Sequence, residues 1–275
     1  MPTTHKTEQV ERLTRLLLIA IAGMLVLLLI LTIVFIATKP SNKPVKDPDK
    51  APTTDVSGDP VPPPEDDGVT LPLTPDAGIA YQDKIIFVGD SLTAHLINRE
   101  VLTGGTSTKQ VWRCENNMMN LNSEVTAAKI IFPGTGEKMT VAEAAARAKP
   151  EIMIITLGTD WGVSYLSEAE FKDCYAGLIR AIQKASPKTK IILQSIFPVT
   201  AGCVNLDNAK IDNANKWVKA IAAENGCRYL DTQTVLKDDK NCLKTEYCNS
   251  NDGIHLGKNA YEVILQYIRT HALPN

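Results

Sequence analysis

The chain has 275 residues, 44% of them hydrophobic and 22% charged, enough for one domain of roughly 200 residues plus accessory segments. A net charge of −2, with no cluster of Lys and Arg among aromatics, leaves nucleic acid without an electrostatic footprint and excludes it as an expected partner. Aromatic content of 5% argues against a wide sugar-stacking platform, although the three Trp could serve locally.

Residues 1–15 form a short polar stub with Lys6, Arg12 and Arg15. Leu16–Ala37 follows without a single charge, long enough to span a bilayer as a helix. Its apolar core exceeds that of an ordinary cleaved leader, and no small-x-small cleavage site follows it, so an uncleaved anchor is expected. Basic residues stand on both sides (Lys39, Lys43, Lys46 and Lys50 on the far one), so charge counting does not set the orientation. A signal-anchor exports the larger C-terminal part, which places residues 1–15 in the cytoplasm and the bulk outside the cell membrane. Residues 38–78 hold ten of the sixteen prolines. They are expected to be a disordered, polyproline-rich linker that spaces residues 79–275 from the membrane.

Beyond the linker, short apolar runs alternate with amphipathic ones. Strands are expected at Lys84–Val88, Gln110–Arg113, Ile152–Leu157, Lys190–Ile196 and Arg228–Leu230. The nearly continuous apolar runs suit parallel strands covered on both faces. Helices are expected at Thr140–Lys149, with Thr140 as N-cap, and at Ser167–Ala185, which opens on a Ser-x-x-Glu capping box. Two more are expected at Asn208–Asn225 and Lys258–His271. This βαβα rhythm predicts an α/β fold, a three-layer α/β/α domain around a central parallel sheet of about five strands. Sites in such sheets lie at the carboxyl ends of the strands.

Gly134-Thr135-Gly136-Glu137-Lys138 loosely imitates a phosphate loop but lacks the adjacent Gly-Lys-Ser/Thr, so no nucleotide is expected. The six cysteines all lie in the globular part. Their spacings give no zinc pattern, and no metal or other cofactor is expected. Cys242 and Cys248 flank a loop and form the best candidate pair. Cys174 and Cys227 read as buried thiols.

Two short motifs carry the chemistry. The first strand breaks into Gly89-Asp90-Ser91-Leu92, and near the far end comes Asp252-Gly253-Ile254-His255. Serine is a poor nucleophile at neutral pH unless an imidazole takes its proton and a carboxylate orients that imidazole. Of four histidines, His5 is on the stub and His271 near the C-terminus. His95, four residues after Ser91, reads as a helix-surface residue flanking the pocket. His255, three residues after an acid in a Gly-containing turn, is the expected base.

These residues resemble the SGNH, or GDSL-type, hydrolase superfamily. Gly89-Asp90-Ser91-Leu92 matches its first block and Asp252-x-x-His255 its last, and the resemblance covers about residues 80–270. It implies a flavodoxin-like fold with Ser91 as nucleophile, His255 as base and then acid, and Asp252 as orienter. The stretch is also similar to membrane-anchored SGNH proteins of Gram-positive anaerobic bacteria. The third block of the family, Gly-x-Asn, reads Gly158-Thr159-Asp160 here, which puts a carboxylate where the resemblance implies an oxyanion-binding amide. The Gly of the second block is missing, and its counterpart falls within Glu115-Asn116-Asn117, with Asn116 the expected supplier of a backbone N–H. Trp161 either lines the pocket or packs. The residues and the expected anchor point to an extracytoplasmic esterase, and the resemblance implies an acylated small molecule or glycan, O-acetyl groups included, as its substrate. Acyl transfer by the same triad and a binding protein with a lapsed site are the alternatives.

Overall fold

The computed structural model describes residues 67–274. Its centre is a five-stranded parallel sheet in the order β2-β1-β5-β6-β7. The strands are β1 (Ile85–Gly89), β2 (Val111–Trp112), β5 (Ile152–Thr156), β6 (Lys190–Gln194) and β7 (Arg228–Leu230). This is the expected three-layer α/β/α architecture, and all five expected strands form.

The sheet is double-faced because its strands are apolar on both sides. In β5, Met153 and Ile155 belong to one buried cluster and Ile152 and Ile154 to the other, as the two-residue period of a strand requires. The first cluster packs under α5 (Glu168–Ala185) and α6 (Asn208–Glu224), through Phe171, Tyr175, Ile179, Ala214 and Val218. The second packs under α2 (Ser91–Asn98) and α8 (Lys258–Thr270), through Leu92, Leu96, Tyr261, Ile264 and Ile268. The capping signals act as expected. Thr140 caps α3 (Val141–Ala148) and Ser167 caps α5, each in a reciprocal box with Glu143 or Glu170.

Two segments differ from expectation. Residues 129–140 form an antiparallel hairpin of β3 (Lys129–Ile131) and β4 (Lys138–Thr140), so the glycine-rich stretch resembling a phosphate loop is a hairpin connection. Residues 67–78, expected as the end of the linker, belong to the domain. The backbone N–H of Leu71 donates to the Tyr229 carbonyl and that of Tyr229 to the Val69 carbonyl, at 2.8 and 2.9 Å, and Leu71 is buried. In this short extended element Val69 packs against one buried cluster and Leu71 belongs to the other, a signal hidden by the surrounding prolines. The remaining linker, the stub and the expected span Leu16–Ala37 lie outside the described residues. Among the described residues no helix is long and apolar enough to cross a membrane.

The strand order changes direction at β1, which has β2 on one side and β5 on the other. The carboxyl ends of β1 and β5 therefore border a crevice, the usual ligand site of an open α/β sheet. The candidate site residues singled out above come from segments leading out of the carboxyl ends of β1, β2 and β5 or from the loop before α8.

Candidate active site

Gly89 ends β1 opposite Thr156 of β5. A Cβ there would collide with the Thr93 hydroxyl and the Thr156 carbonyl, so only glycine lets the chain leave the sheet this tightly. Asp90 then caps α2, accepting from the Leu92 N–H at 3.2 Å with one carboxylate oxygen and from the Thr159 N–H at 3.2 Å with the other. Asp90 is fully buried. Burial first, and the charge of Asp160 second, push its carboxyl well above the usual range. Asp90 is thus a structural tie between the ends of β1 and β5. It leaves Ser91 at the first position of α2, half-buried, with its backbone N–H at the positive end of the helix.

The loop before α8 carries the imidazole expected to act as base. His255 Nδ1 and Asp252 Oδ2 lie 2.5 Å apart, which fixes the imidazole tautomer and leaves Nε2 for a serine proton. Asp252 is itself held: its Oδ1 accepts from the Ser250 hydroxyl and from the backbone N–H groups of Ile254 and His255. Burial acts to raise its carboxyl, but the Ser250 hydroxyl, these N–H groups and the imidazole outweigh burial and keep it far below the ordinary range. The residue supposed to orient His255 is therefore charged at any working pH.

Asp160 lies directly against Ser91. Its Oδ1 accepts from the Ser91 hydroxyl and its Oδ2 from the Ser91 N–H, both at 3.2 Å. Asp160 thus sits at the N-terminal end of α2 and holds the serine hydroxyl, which makes no hydrogen bond to His255 here. Gly158 adopts a positive φ of 128°, and a Cβ there would lie 2.7 Å from Ile196. This backbone turn delivers the Thr159 N–H to Asp90 and the Asp160 side chain to Ser91.

Two expected pocket residues end up in different circumstances. Asn116 is exposed, and its side-chain oxygen closes a turn on the Met118 N–H at 3.1 Å. No hydrogen bond joins it to Ser91 or Asp160. The left-handed residue is its neighbour Asn117, φ 60°, whose N–H is committed to the Cys114 carbonyl. Trp161 is exposed rather than packed into the core and stacks on the exposed Tyr165, with centroids 4.6 Å apart. All six cysteines are free thiols, including Cys242 and Cys248. Cys248 Sγ donates instead to the Ser250 carbonyl at 3.2 Å.

Three further residues surround His255. The His95 ring lies against the His255 ring with centroids 4.8 Å apart. Arg99 Nε donates to the Leu256 carbonyl at 3.1 Å, and Ser250 supports Asp252. The four-residue spacing of Ser91, His95 and Arg99 was the available signal, since such residues share one helix face.

Residues 87–263, well over half of the chain, match the profile of the GDSL-like lipase/acylhydrolase family. Among curated protein sequences none matches this chain. Solved structures with a similar fold include a GDSL-like lipase from Bacteroides thetaiotaomicron, 17% identical over 73% of this chain and 90% of that one, TM-score 0.44. An acetyl xylan esterase is 14% identical over 66% and 96% of the two chains, TM-score 0.48. The periplasmic domain of a Salmonella Paratyphi A lipopolysaccharide acetyltransferase is 17% identical over 67% and 81%, TM-score 0.44. With its family profile matched and its GDS and DxxH residues gathered at the carboxyl edge of the sheet, the chain belongs to the GDSL-like lipase/acylhydrolase family and is an ester-bond hydrolase.

Proposed function

We propose that this chain is a membrane-anchored, extracytoplasmic serine esterase that removes acyl groups, O-acetyl in particular, from a glycan of the cell surface or surroundings. The observation that carries the chemistry is the Asp252–His255 pair at 2.5 Å, together with Ser91 at the N-terminus of α2. The location rests on the uncharged Leu16–Ala37 run. The glycan rests on the exposed, stacked Trp161 and Tyr165, which follow Asp160 within five residues, because an aromatic face suits the C–H face of a pyranose.

In the reaction the Ser91 hydroxyl leaves Asp160, gives its proton to His255 Nε2 and attacks the ester carbonyl. The tetrahedral intermediate collapses as the leaving alkoxide takes that proton from His255. Water then adds to the acyl-enzyme, its proton passing to His255 and on to Ser91 as the carboxylic acid departs. The negative charge of Asp160 beside Ser91 opposes the oxyanion, so turnover is slow.

The full chain should release phenol from a short-chain aryl acetate and acetate from an acetylated polysaccharide. Ser91→Ala should remove both activities, and a serine-directed phosphonate should label only the unsubstituted protein. Equal activity in Ser91→Ala would end the assignment of the nucleophile. Acetylated sugar appearing in place of free acetate would mark transfer instead of hydrolysis.

A further inference from the structure

We infer that the face of α2 that presents Ser91 also sets the position of the base, with His95 and Arg99 as positioning residues for His255. This rests on the reading of Ser91 and His255 as nucleophile and base. Ser91, His95 and Arg99 are spaced four apart, so they form one stripe along the helix.

Each contacts a different part of the site. Ser91 faces the β5 exit through Asp160. The His95 ring lies 4.8 Å from the His255 ring, centroid to centroid, at a tilt of 33°. Arg99 Nε donates to the Leu256 carbonyl at 3.1 Å. With the Asn249 amide oxygen turned toward the guanidinium, Nη1 and Nη2 donate to it at 3.0 and 3.1 Å.

Asn249 and Leu256 are not arbitrary anchor points. Leu256 follows His255 directly and bridges to Cys248, while the Asn249 N–H donates to the His255 carbonyl at 2.9 Å. Arg99 therefore grips both sides of the short antiparallel ladder from which the imidazole projects. The hold is reinforced from α8, whose Tyr261 hydroxyl donates to the Leu92 carbonyl at 2.7 Å.

His95 acts through its ring face. Its Nδ1 is buried and has no hydrogen-bond partner, so hydrogen bonding by that nitrogen does not account for its place. Charged or titratable groups around it are His255, Arg99, Asp160 and Asp252. Burial, His255 and Arg99 lower the His95 imidazole from its ordinary value, against the opposing pull of Asp160 and Asp252. A ring packed this close to His255 limits rotation of the imidazole about its Asp252 contact and so helps to set where Nε2 points.

The test uses the full chain with an aryl acetate, comparing His95→Phe with His95→Gln. Phe keeps a flat ring and the buried volume. Gln keeps a polar side chain but offers no face. His95→Phe should retain kcat to within about threefold, and His95→Gln should lose about tenfold or more in kcat at unchanged KM, the scale expected for a mis-set catalytic group. A Gln variant as fast as or faster than the Phe variant overturns the role of the ring, whatever their common rate. An Arg99→Gln variant with unchanged kcat overturns the clamp. Ser91→Ala, assayed beside them, separates failure of this inference from failure of the nucleophile assignment, because only the latter leaves Ser91→Ala active.

Discussion

Replacing Asp160 by Asn should accelerate the enzyme. Both Asp160 oxygens accept from Ser91, at 3.2 Å from its N–H and 3.2 Å from its hydroxyl. An oxyanion using that N–H would form roughly 4 Å from the carboxylate charge, a repulsion of about 4 kcal/mol at an effective dielectric of about 20. Asp160 is only half-buried, and halving the figure for solvent screening leaves about 2 kcal/mol, or about 30-fold in rate. An amide in the same place also offers a donor, a contribution typically of about 10²–10³. Asp160→Asn should therefore raise kcat for an aryl acetate by at least about 30-fold. It should also lower stability slightly, by roughly 0.3–1 kcal/mol, since a charge leaves a helix N-terminus. Stopped or initial-rate assays at saturating substrate measure the first effect and thermal melts the second. A kcat equal to or below that of the unsubstituted protein would refute the idea that Asp160 opposes the transition state.

Four further outcomes are expected. Trp161→Ala should raise KM for an acetylated polysaccharide and leave KM for an aryl acetate unchanged; equal changes in both would deny it a glycan role. Gly158→Ala should cost roughly 1–3 kcal/mol in denaturant unfolding, because its φ of 128° and the 2.7 Å approach of Ile196 admit no Cβ. Stability should fall on both sides of the ordinary carboxylate range. Asp252, lowered in the native state, contributes stability above the ordinary carboxylate range that is lost as pH falls through that range and below, whereas Asp90, raised in the native state, makes stability decline as pH rises through its elevated value. Thermal melts across pH should show both limbs, and Asp160→Asn should soften the upper one by removing a charge that raises Asp90. Finally, six thiols should titrate in denaturant without reductant, while in the native protein Cys227, whose thiol burial pushes up to about 12, should resist alkylation.

Much of this site was legible in the sequence. The apolar runs around Phe87, Ile154 and Leu193 are long and uninterrupted, so they read as covered strands. Ser167 and Glu170 declare a helix start by local chemistry alone. Ser91, Asp252, His255 and Asp160 sit in short motifs at strand ends or turns, where residue type and spacing carry meaning. What escaped the sequence depended on tertiary partners. The hairpin over 129–140 has strands of three residues around Pro133 and two glycines, too short for a period to show. Asn116 is expected to offer a backbone N–H in a stretch without glycine, but the left-handed conformation there falls on Asn117, which is tied to Cys114 and to Arg113. His95 looked like a flanking surface residue because nothing local reveals that the loop at 249–256 folds onto it.

The pairing of Val69 and Leu71 with Tyr229 has a practical side. β7 is the last strand of the sheet, and without this leading segment its outer N–H and C=O groups would be an open template for another chain. Leu71, buried at 2% exposure, would leave an apolar gap beside that edge. A truncation beginning at residue 79 would therefore release a protein with its hydrolytic residues intact and a bare, sticky sheet margin, prone to edge-to-edge association. One beginning at or before Asp67 keeps the margin sealed, so the short strip between the prolines serves as the domain's own guard against self-assembly.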